Sequence, residues 1–402
     1  MTYRELLTKY KEGTLEEKEK LLIEQELEKS EAINDYLAEE IERYLELGAA
    51  ESADMTNEQS KIEKSIKSTV YKRFAAVVAI SVICVFAIVL MIHYIISPLV
   101  ASQSYSPTGK TAGQKHMQDF ANDIRAVTEV SMPGYAIGGI PYAEHLGFGK
   151  YNITYTRKNL FTKEKETVNA QLNKNMRVGN FDDFYASEGS FAFTEFWNSE
   201  EGSKEYEASL NMQKQNTEMQ ITHVSELPPT SYISAWVRFT EDLTMEALCT
   251  LKYSYKDIDF KWVAVRTAEN QGQQLMGFTT GPNDGFVTGD KVNSDKYPGF
   301  QLIDLMYFSD NTAPEIQMAE NYETHYTSLL NYLVDHHEAT AALVGNTEAY
   351  DYKSALAYVT NSGISTYGAL VYGEADELLE LYDSGNIMTF TIDNVIASKY
   401  IQ

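Results

Sequence analysis

One long stretch of the chain contains no charged residue, whereas hydrophobic and polar residues are mixed elsewhere. It runs from Phe74 to Ile96 and reads FAAVVAISVICVFAIVLMIHYII. As a helix, this stretch would extend roughly 34 Å, and the hydrocarbon core of a bilayer is about 30 Å thick. We therefore predict a transmembrane helix over residues 74–96. A buried core helix and a signal peptide are the alternatives, but core helices seldom lack charge over this length and no clean small-residue cleavage site is present.

Basic residues flank the predicted span on one side. Five of them precede it closely, namely Lys61, Lys64, Lys67, Lys72 and Arg73, and the next basic residue after the span is Lys110. The positive-inside rule therefore places residues 1–73 in the cytoplasm and residues from about 97 onward outside. The sequence thus predicts a single-pass protein of the cell membrane with an extracytoplasmic C-terminal region.

Residues 1–47 have the pattern of two amphipathic helices. Thr2 with Glu5, and Thr14 with Glu17, fit the capping box that begins a helix, and Gly13 lies where the first helix would end. Hydrophobic residues then recur at three- and four-residue steps beside charged ones. No His or Cys occurs in residues 1–73, so a zinc site is not expected there.

Two helices of this size cannot bury both hydrophobic stripes completely on each other, so the remaining apolar face is predicted to bind a partner protein. The candidate partner-binding residues are Leu6, Leu7, Tyr10, Leu22, Ile23 and Leu27. A self-associating hairpin or coiled coil is the alternative. Residues 48–73 have weaker periodicity and are predicted as a linker. Residues 97–118, rich in Pro, Gly, Ser and Thr, are predicted as an exposed, cleavable spacer.

The region after residue 118 is predicted to have the α+β class. Its membrane-proximal part, residues 119–227, contains a helix pattern at 119–130, strand patterns at 151–156 and 167–171, and a solvated helix or loop at 198–220. Residues 228–402 follow with strands at 232–239 and 260–266 around a helix at 244–251, and a glycine-containing loop at 277–289.

The last hundred residues continue this pattern. A helix begins at Pro314, a second spans 350–359, and a strand, a helix and a strand follow at 367–372, 375–382 and 387–392. Both ends of residues 228–402 thus have a β-α-β succession, which predicts a layered α+β domain.

The charge of the chain excludes some classes of function. Residues 1–73 hold 12 of the 33 basic and 18 of the 58 acidic side chains, which leaves a net charge of −19 beyond them. Such a region does not bind nucleic acid through bulk charge. Cys249 is its single cysteine, so it cannot form an internal disulfide.

No short catalytic signature is found in the region after the span. The motifs Ser-x-x-Lys, Gly-x-Ser-x-Gly and His-Glu-x-x-His do not occur there. The neighbouring His336 and His337 point in different directions on a helix, so a helix-end or surface role is expected of them. We therefore expect no catalytic residue, no bound metal and no cofactor, and the chain is not predicted to be an enzyme.

Three parts of the chain resemble a known family. They are the opening YRELLTKYKEGTLEEKEKLLIEQELEKS, the span with its basic flank, and the run STYGALVYGEADELLELYDSGNIMTFTIDNV. PPTSYISAWVRFTEDLTMEAL, KWVAVRT and MGFTTGP add to the likeness. Together they resemble the membrane-anchored anti-sigma factors of Gram-positive bacteria, which regulate extracytoplasmic-function sigma factors. The zinc-binding members carry His and Cys residues that this chain lacks, so it resembles the metal-free type.

The resemblance implies a function in signal transduction. The cytosolic helices would sequester an extracytoplasmic-function sigma factor, and an envelope signal sensed outside would release it, in such families often through membrane proteases. The partners implied are this sigma factor, membrane lipid around the span, and those proteases. The alternative from another class is an extracytoplasmic envelope-binding or assembly protein with an N-terminal membrane anchor. An enzyme outside the membrane is the third hypothesis.

Overall fold

The computed structural model describes residues 10, 17–50, 57–102, 104–107, 117–174, 176–178, 204–269, 274–281, 292–306, 313–344 and 351–399. The chain divides into two compact units, Met1–Val89 and Leu90–Gln402. The second unit thus contains residues of both regions that the sequence predicts beyond the membrane.

Apart from residue 10, the described residues of the first unit lie in two long helices. Helix α1 spans Glu17–Ala50, and α2 begins at Asn57 and continues to Met91. The predicted linker at 48–73 is therefore helical from residue 57, because neither Gly nor Pro interrupts the chain before Pro98. Within the described residues, one helical stretch, Ser65–Ala101, is long and apolar enough to cross a membrane, and none of its most apolar part is buried.

The end of this helical stretch belongs to the second unit and packs within it. A π-helical turn, Ile92–Ile96, leads into the short helix α3, Ser97–Ala101. The Ser97 hydroxyl accepts a hydrogen bond of 2.9 Å from the amide of Phe148. The Tyr105 hydroxyl donates one of 2.7 Å to Asp123. The described part of 97–107 is thus partly buried, which corrects the expectation of an exposed spacer; residues 108–116 lie outside the described ranges.

Helix α4 and an antiparallel sheet follow. Helix α4 spans Met117–Ser131 and confirms the helix predicted at 119–130. The strands are β1 (Tyr135–Ile137), β2 (Tyr142–Gly147), β3 (Lys150–Asn159), β4 (Lys165–Asn173) and β5 (Met176–Val178). Strands β3 and β4 pair antiparallel over their length, as the two predicted strands with a polar turn require.

The remaining elements follow the predicted order, except that those at 277–279 and 337–344 are not predicted as a strand and a helix. They are α5 (Lys204–Glu226), β6 (Tyr232–Thr244), α6 (Met245–Ser254), β7 (Asp259–Val265), β8 (Gly277–Thr279), α7 (Pro314–Asp335), α8 (His337–Val344), α9 (Tyr352–Ser362), β9 (Ser365–Glu374), α10 (Ala375–Asp383) and β10 (Ile387–Ile396). Strand β8 lies inside the segment that the sequence predicts as a loop. The α+β class is confirmed.

The second sheet has the strand order β10-β6-β9-β7-β8, and each neighbouring pair is antiparallel. Strands β6 and β7 are therefore parallel but separated by β9, and β9 and β10 are parallel but separated by β6. The two predicted β-α-β successions thus form split units, in which consecutive strands do not pair with each other. This interleaving joins both ends of residues 228–402 in one sheet.

The main hydrophobic core crosses the boundary predicted at residue 227. Phe120, Ile124 and Val127 of α4 belong to the same buried cluster as Tyr326 and Leu329 of α7. A second cluster contains side chains of β6, β7 and β9 together with Leu160 and Phe161 of the turn between β3 and β4. The membrane-proximal and C-terminal regions therefore share their buried side chains.

We predict that Gly277→Ala destabilises the fold, because β8 approaches β7 too closely for a side chain. A Cβ at Gly277 would overlap the carbonyl oxygen of Val263 and lie 2.5 Å from Cζ2 of Trp262. The free energy of unfolding should fall by roughly 1–3 kcal/mol or more. Urea unfolding of the detergent-solubilised chain, followed by tryptophan fluorescence, measures this change.

Gly138→Ala is the matched control. The nearest atom to a Cβ there is Thr156 Cγ2 at 3.6 Å, an ordinary contact, so the expected change is below about 0.5 kcal/mol. Equal unfolding midpoints for the two variants would contradict the close approach at Gly277.

Candidate functional sites

The structure describes the predicted partner-binding residues only in part. Leu6 and Leu7 lie outside the described residues. Leu22, Ile23 and Leu27 lie in α1, but their side chains are not among those described. The Tyr10 hydroxyl donates a hydrogen bond of 3.3 Å to Glu24 of α1, which brings one predicted residue next to the helix that carries three others.

Helix α1 has an exposed apolar face beyond these residues. Ile33, Leu37 and Ile41 are four residues apart, so they lie on one side of the helix, and they are 60%, 49% and 59% exposed. Leu21 and Tyr36 of the same helix are also exposed. An amphipathic helix that leaves its apolar residues uncovered has the form of a helix that binds in a partner's groove.

The second unit has a concave pocket between α6, the start of β7 and α7. Its volume is about 810 Å³, within the range of small-molecule sites. Basic side chains line it, namely Lys252, Lys256, Lys261 and Lys399. Apolar and aromatic side chains complete the lining, namely Ile258, Phe260, Met306, Met318 and Tyr322.

Lys252 of α6 is held by neutral oxygens. Its ammonium group donates hydrogen bonds to Thr280 Oγ1 at 2.6 Å and to the Tyr322 hydroxyl at 2.9 Å. Burial disfavours the charged form and lowers the pKa of Lys252 to about 8, although Asp259 opposes this change. The nearby Cys249 thiol is also buried, and burial raises its pKa to about 12, so it is not an activated nucleophile.

A buried ionic cluster lies behind this pocket. Glu129 of α4 accepts hydrogen bonds of 2.8 Å from Arg125, from Thr279 and from Nε2 of His325. Arg125 also donates to the carbonyl oxygen of Phe300 at 2.9 Å. The side chains of Arg125 and Glu129 are each 2% exposed and that of His325 is 0% exposed, so this pairing occurs out of contact with water.

The contacts of Glu129 determine the direction in which its pKa is shifted. Burial alone would raise the pKa of Glu129, but the charges of Arg125 and His325 and the hydrogen bonds from His325 and Thr279 lower it below its ordinary value. Nδ1 of His325 lies 2.7 Å from the carbonyl oxygen of Gly299. Both ring nitrogens of His325 thus lie within hydrogen-bond distance of an oxygen atom, which fixes the position of the ring.

A second carboxylate of α4, that of Asp123, joins Tyr105 to α7. Asp123 accepts hydrogen bonds of 2.8 Å from the Tyr332 hydroxyl and 2.7 Å from the Tyr105 hydroxyl, and His336 Nδ1 lies 2.9 Å away. The His336 ring also stacks on Tyr332, with 4.0 Å between ring centroids. His336 lies at the C-terminal end of α7, as expected from the sequence, but its ring also has a specific partner and is not a plain surface histidine.

Residues 224–394 match the family model described as the sigma factor regulator C-terminal domain. The matched segment runs from the end of α5 into β10, so it contains α7 and most of the pocket lining. No curated protein and no solved structure matches the chain. The match supports a role in sigma factor regulation. Helix α4, which supplies Glu129 and Asp123, lies outside the matched segment.

The sequence does not predict Lys252 and His325 of the matched segment, or Asp123 and Glu129 of α4, as candidate functional residues. His325 follows Tyr322 and precedes Leu329 on the apolar face of α7, and that position is a signal of burial. Its partner Glu129 is 196 residues away, so no local pattern could pair them. Lys252 has no distinguishing spacing, because the pocket around it is formed by distant segments.

We predict that Glu129→Gln destabilises the chain strongly. Removing the charge leaves Arg125 and His325 buried without their carboxylate, and the breaking of a buried ion pair costs about 3–5 kcal/mol. The free energy of unfolding, measured by urea titration, should fall by about that amount. Glu144→Gln is the control, because Glu144 is exposed and has a 3.4 Å contact with Asn152; a similar loss in both variants would contradict the prediction.

The effect of Glu129→Gln should also depend on pH. The folded pKa of Glu129 is below its ordinary value of 4.5, so the ionised group contributes stability that is fully present above pH 4.5 and is lost as the pH falls through the folded value. The difference in thermal midpoint between wild type and Glu129→Gln should therefore shrink as the pH is lowered below 4.5. A difference that grows on acidification would contradict this sign.

Proposed function

We propose that the chain is a single-pass membrane anti-sigma factor of the metal-free type. Its cytosolic helices hold an extracytoplasmic-function sigma factor at the membrane, and its C-terminal unit responds to an envelope signal outside. The match of residues 224–394 to the sigma factor regulator C-terminal model carries this proposal. The candidate span and the exposed apolar face of α1 support it independently.

The topology of the proposal rests on the charge around the span. Basic residues directly precede residue 74, and the first one after the span is Lys110. The N-terminal helices therefore lie in the cytoplasm, where a sigma factor is found. Leu6, Leu7, Tyr10, Leu22, Ile23 and Leu27 supply apolar anchors. Acidic side chains beside them oppose the basic surfaces by which a transcription factor contacts DNA. The proposal includes no catalytic step and no direct binding of nucleic acid.

Release by membrane proteases would require a prior change near the span. Ser97, Ser104 and Tyr105 are 4%, 3% and 8% exposed, and a protease needs an extended, accessible segment. Detachment of the segment 97–107 from the β2–β3 turn and from α4 would provide it. The hydrogen bonds of Ser97 and Tyr105 therefore keep this segment closed until a signal arrives.

We predict that the tagged full chain, solubilised from its native host, co-purifies with one sigma factor near a one-to-one ratio. Replacing Leu22, Ile23 and Leu27 together with Asp should reduce recovery of that factor by about tenfold or more, because charged groups cannot enter an apolar interface without a cost of several kcal/mol. Mass spectrometry of the eluate identifies and counts the bound protein.

Met212→Asp with Met219→Asp is the matched control, since both residues are exposed on α5 and lie beyond the span. This variant should retain the sigma factor. Recovery of no sigma factor, or retention by the α1 variant, would contradict the proposal and favour an envelope-binding protein whose N-terminal part is only an anchor.

A further inference from the structure

The pocket beside α6 concentrates positive charge in a chain of net charge −25. Four lysines and two aspartates, Asp257 and Asp259, line it. Asp259 is already paired with Lys261, with 2.7 Å between Oδ2 and Nζ. The pocket therefore carries an excess of cations where the rest of the molecule is acidic.

Lys252 is the cation at the base of this pocket. Among the described residues, no carboxylate oxygen is within ion-pair distance of its ammonium group, whose two hydrogen bonds go to Thr280 and Tyr322. An ammonium group has three donors, so one remains for a ligand. A half-buried cation without a counter-ion loses hydration, and a bound anion would restore the lost interaction.

The other walls of the pocket are suited to an apolar group. Phe260 and Ile258 are buried at its base, and Met306, Met318 and Tyr322 contribute further apolar surface. Small-molecule sites commonly combine such a lining with a few placed polar groups.

We propose that this pocket binds an organic anion in which a carboxylate or phosphate ester is attached to an apolar or aromatic body. Lys252 holds the anionic group, and Met318 and Tyr322 contact the body. The inference goes beyond the proposed function, because anion binding can be measured whether or not the chain holds a sigma factor.

Calorimetric titration of the full chain in phosphatidylcholine nanodiscs tests this proposal, with phenyl phosphate as the probe. Saturable binding is expected, and Lys252→Met should weaken it by about tenfold or more. Lys165→Met, a change of an exposed lysine on β4, should leave it unchanged. Benzyl alcohol lacks the charge and inorganic phosphate lacks the body, so each should bind about tenfold more weakly than phenyl phosphate.

A second readout uses the wild-type chain and does not depend on the folding of a variant. Phenyl phosphate should slow acetylation of Lys252 by an amine-reactive reagent, measured by peptide mass spectrometry, and leave Lys296 unaffected. Lys296 is 57% exposed and pairs with Asp335. Unsaturable binding at millimolar phenyl phosphate, or equal binding by wild type and a folded Lys252→Met, would overturn the proposal.

The turn between β2 and β3 has an unusual residue at a position of positive φ. Phe148 and Gly149 have positive φ angles of 53° and 71°, as a two-residue type I′ turn requires. Asn is preferred at the first of these positions, and a bulky residue there is uncommon and costs conformational energy. Phe148 is also 42% exposed, so packing does not account for an aromatic residue at this turn.

The β2–β3 turn lies next to the end of the predicted span. The amide of Phe148 is bound to Ser97, the residue that directly follows the predicted span. Ser97 is buried, while its neighbour Leu99 is 61% exposed. Leu146, two residues before Phe148, is also exposed, at 44%. Phe148 and Leu146 are thus exposed apolar side chains at a turn that is hydrogen-bonded to the residue following the predicted span.

We infer that the β2–β3 turn rests in the outer interface of the bilayer, with Phe148 and Leu146 inserted among the acyl chains. The inference depends on the membrane anchoring in the proposed function. Aromatic and aliphatic side chains at this level gain free energy by leaving water. The turn would fix the orientation of the second unit on the membrane surface.

Quenching by brominated phosphatidylcholine tests this inference in vesicles that contain the full chain. Phe148→Trp should add fluorescence that brominated lipid quenches. Met219→Trp, at an exposed position of α5, should add fluorescence that the lipid does not quench. Leu146→Trp serves as a second reporter that leaves the turn residue unchanged. The native tryptophans are common to all variants and cancel in the comparison.

Vesicle flotation separates the two ways in which this inference can fail. If the chain floats with the vesicles but neither Phe148→Trp nor Leu146→Trp adds quenched fluorescence, the turn does not touch lipid while the anchoring stands. If the chain does not float, the anchoring in the proposed function fails and the turn inference fails with it. Sigma factor recovery remains a separate measurement.

Discussion

A single buried carboxylate, that of Glu129, joins the parts of the second unit that are distant in sequence. It receives hydrogen bonds from α4 itself, from β8 and from α7, and the backbone carbonyl of Glu129 accepts another of 2.8 Å from Trp262 of β7. Buried ion pairs seldom add net stability over apolar packing, because desolvation offsets the attraction. The contribution of the Glu129 carboxylate is to fix the position of α4 relative to α7. Apolar side chains alone would let α4 slide along α7, whereas the carboxylate can bind all of its donors in one position only.

This constraint explains why the region before residue 228 is not a separate core. Helix α4 contributes Phe120 and Ile124 to the main hydrophobic cluster. Two of its carboxylates, those of Asp123 and Glu129, bind Tyr332 and His325 of the same helix α7. Tyr105, which precedes α4 in the chain, donates its hydroxyl hydrogen bond to Asp123. The family match begins at residue 224, so the matched segment is completed by elements that precede it.

Local patterns predict the elements of this chain better than their arrangement. The periodicity of residues 314–335 predicts α7, and Pro314 marks its start, because these signals lie within one helix. Strand β8 escapes prediction since its three residues carry no period, and its pairing depends on Gly277 opposite Ala264. The turn-rich composition of residues 97–107 predicts exposure, but Ser97 and Tyr105 find partners 51 and 18 residues away. Local composition therefore cannot predict burial that depends on residues distant in sequence.

The pocket and the ionic cluster share two elements, which gives a physical route between them. Thr280 contacts Lys252 in the pocket, and the preceding residue on β8, Thr279, donates to Glu129. On α7, Tyr322 faces the pocket and His325, one turn later, faces the cluster; the Phe278 ring lies 5.4 Å from the first and 5.9 Å from the second. A ligand shifts such an arrangement only if it binds one state more tightly than another. Because Thr280 and Tyr322 both bind Lys252, an anion that draws this ammonium group toward itself acts on β8 and α7 together, and these are the elements that hold the carboxylate of α4.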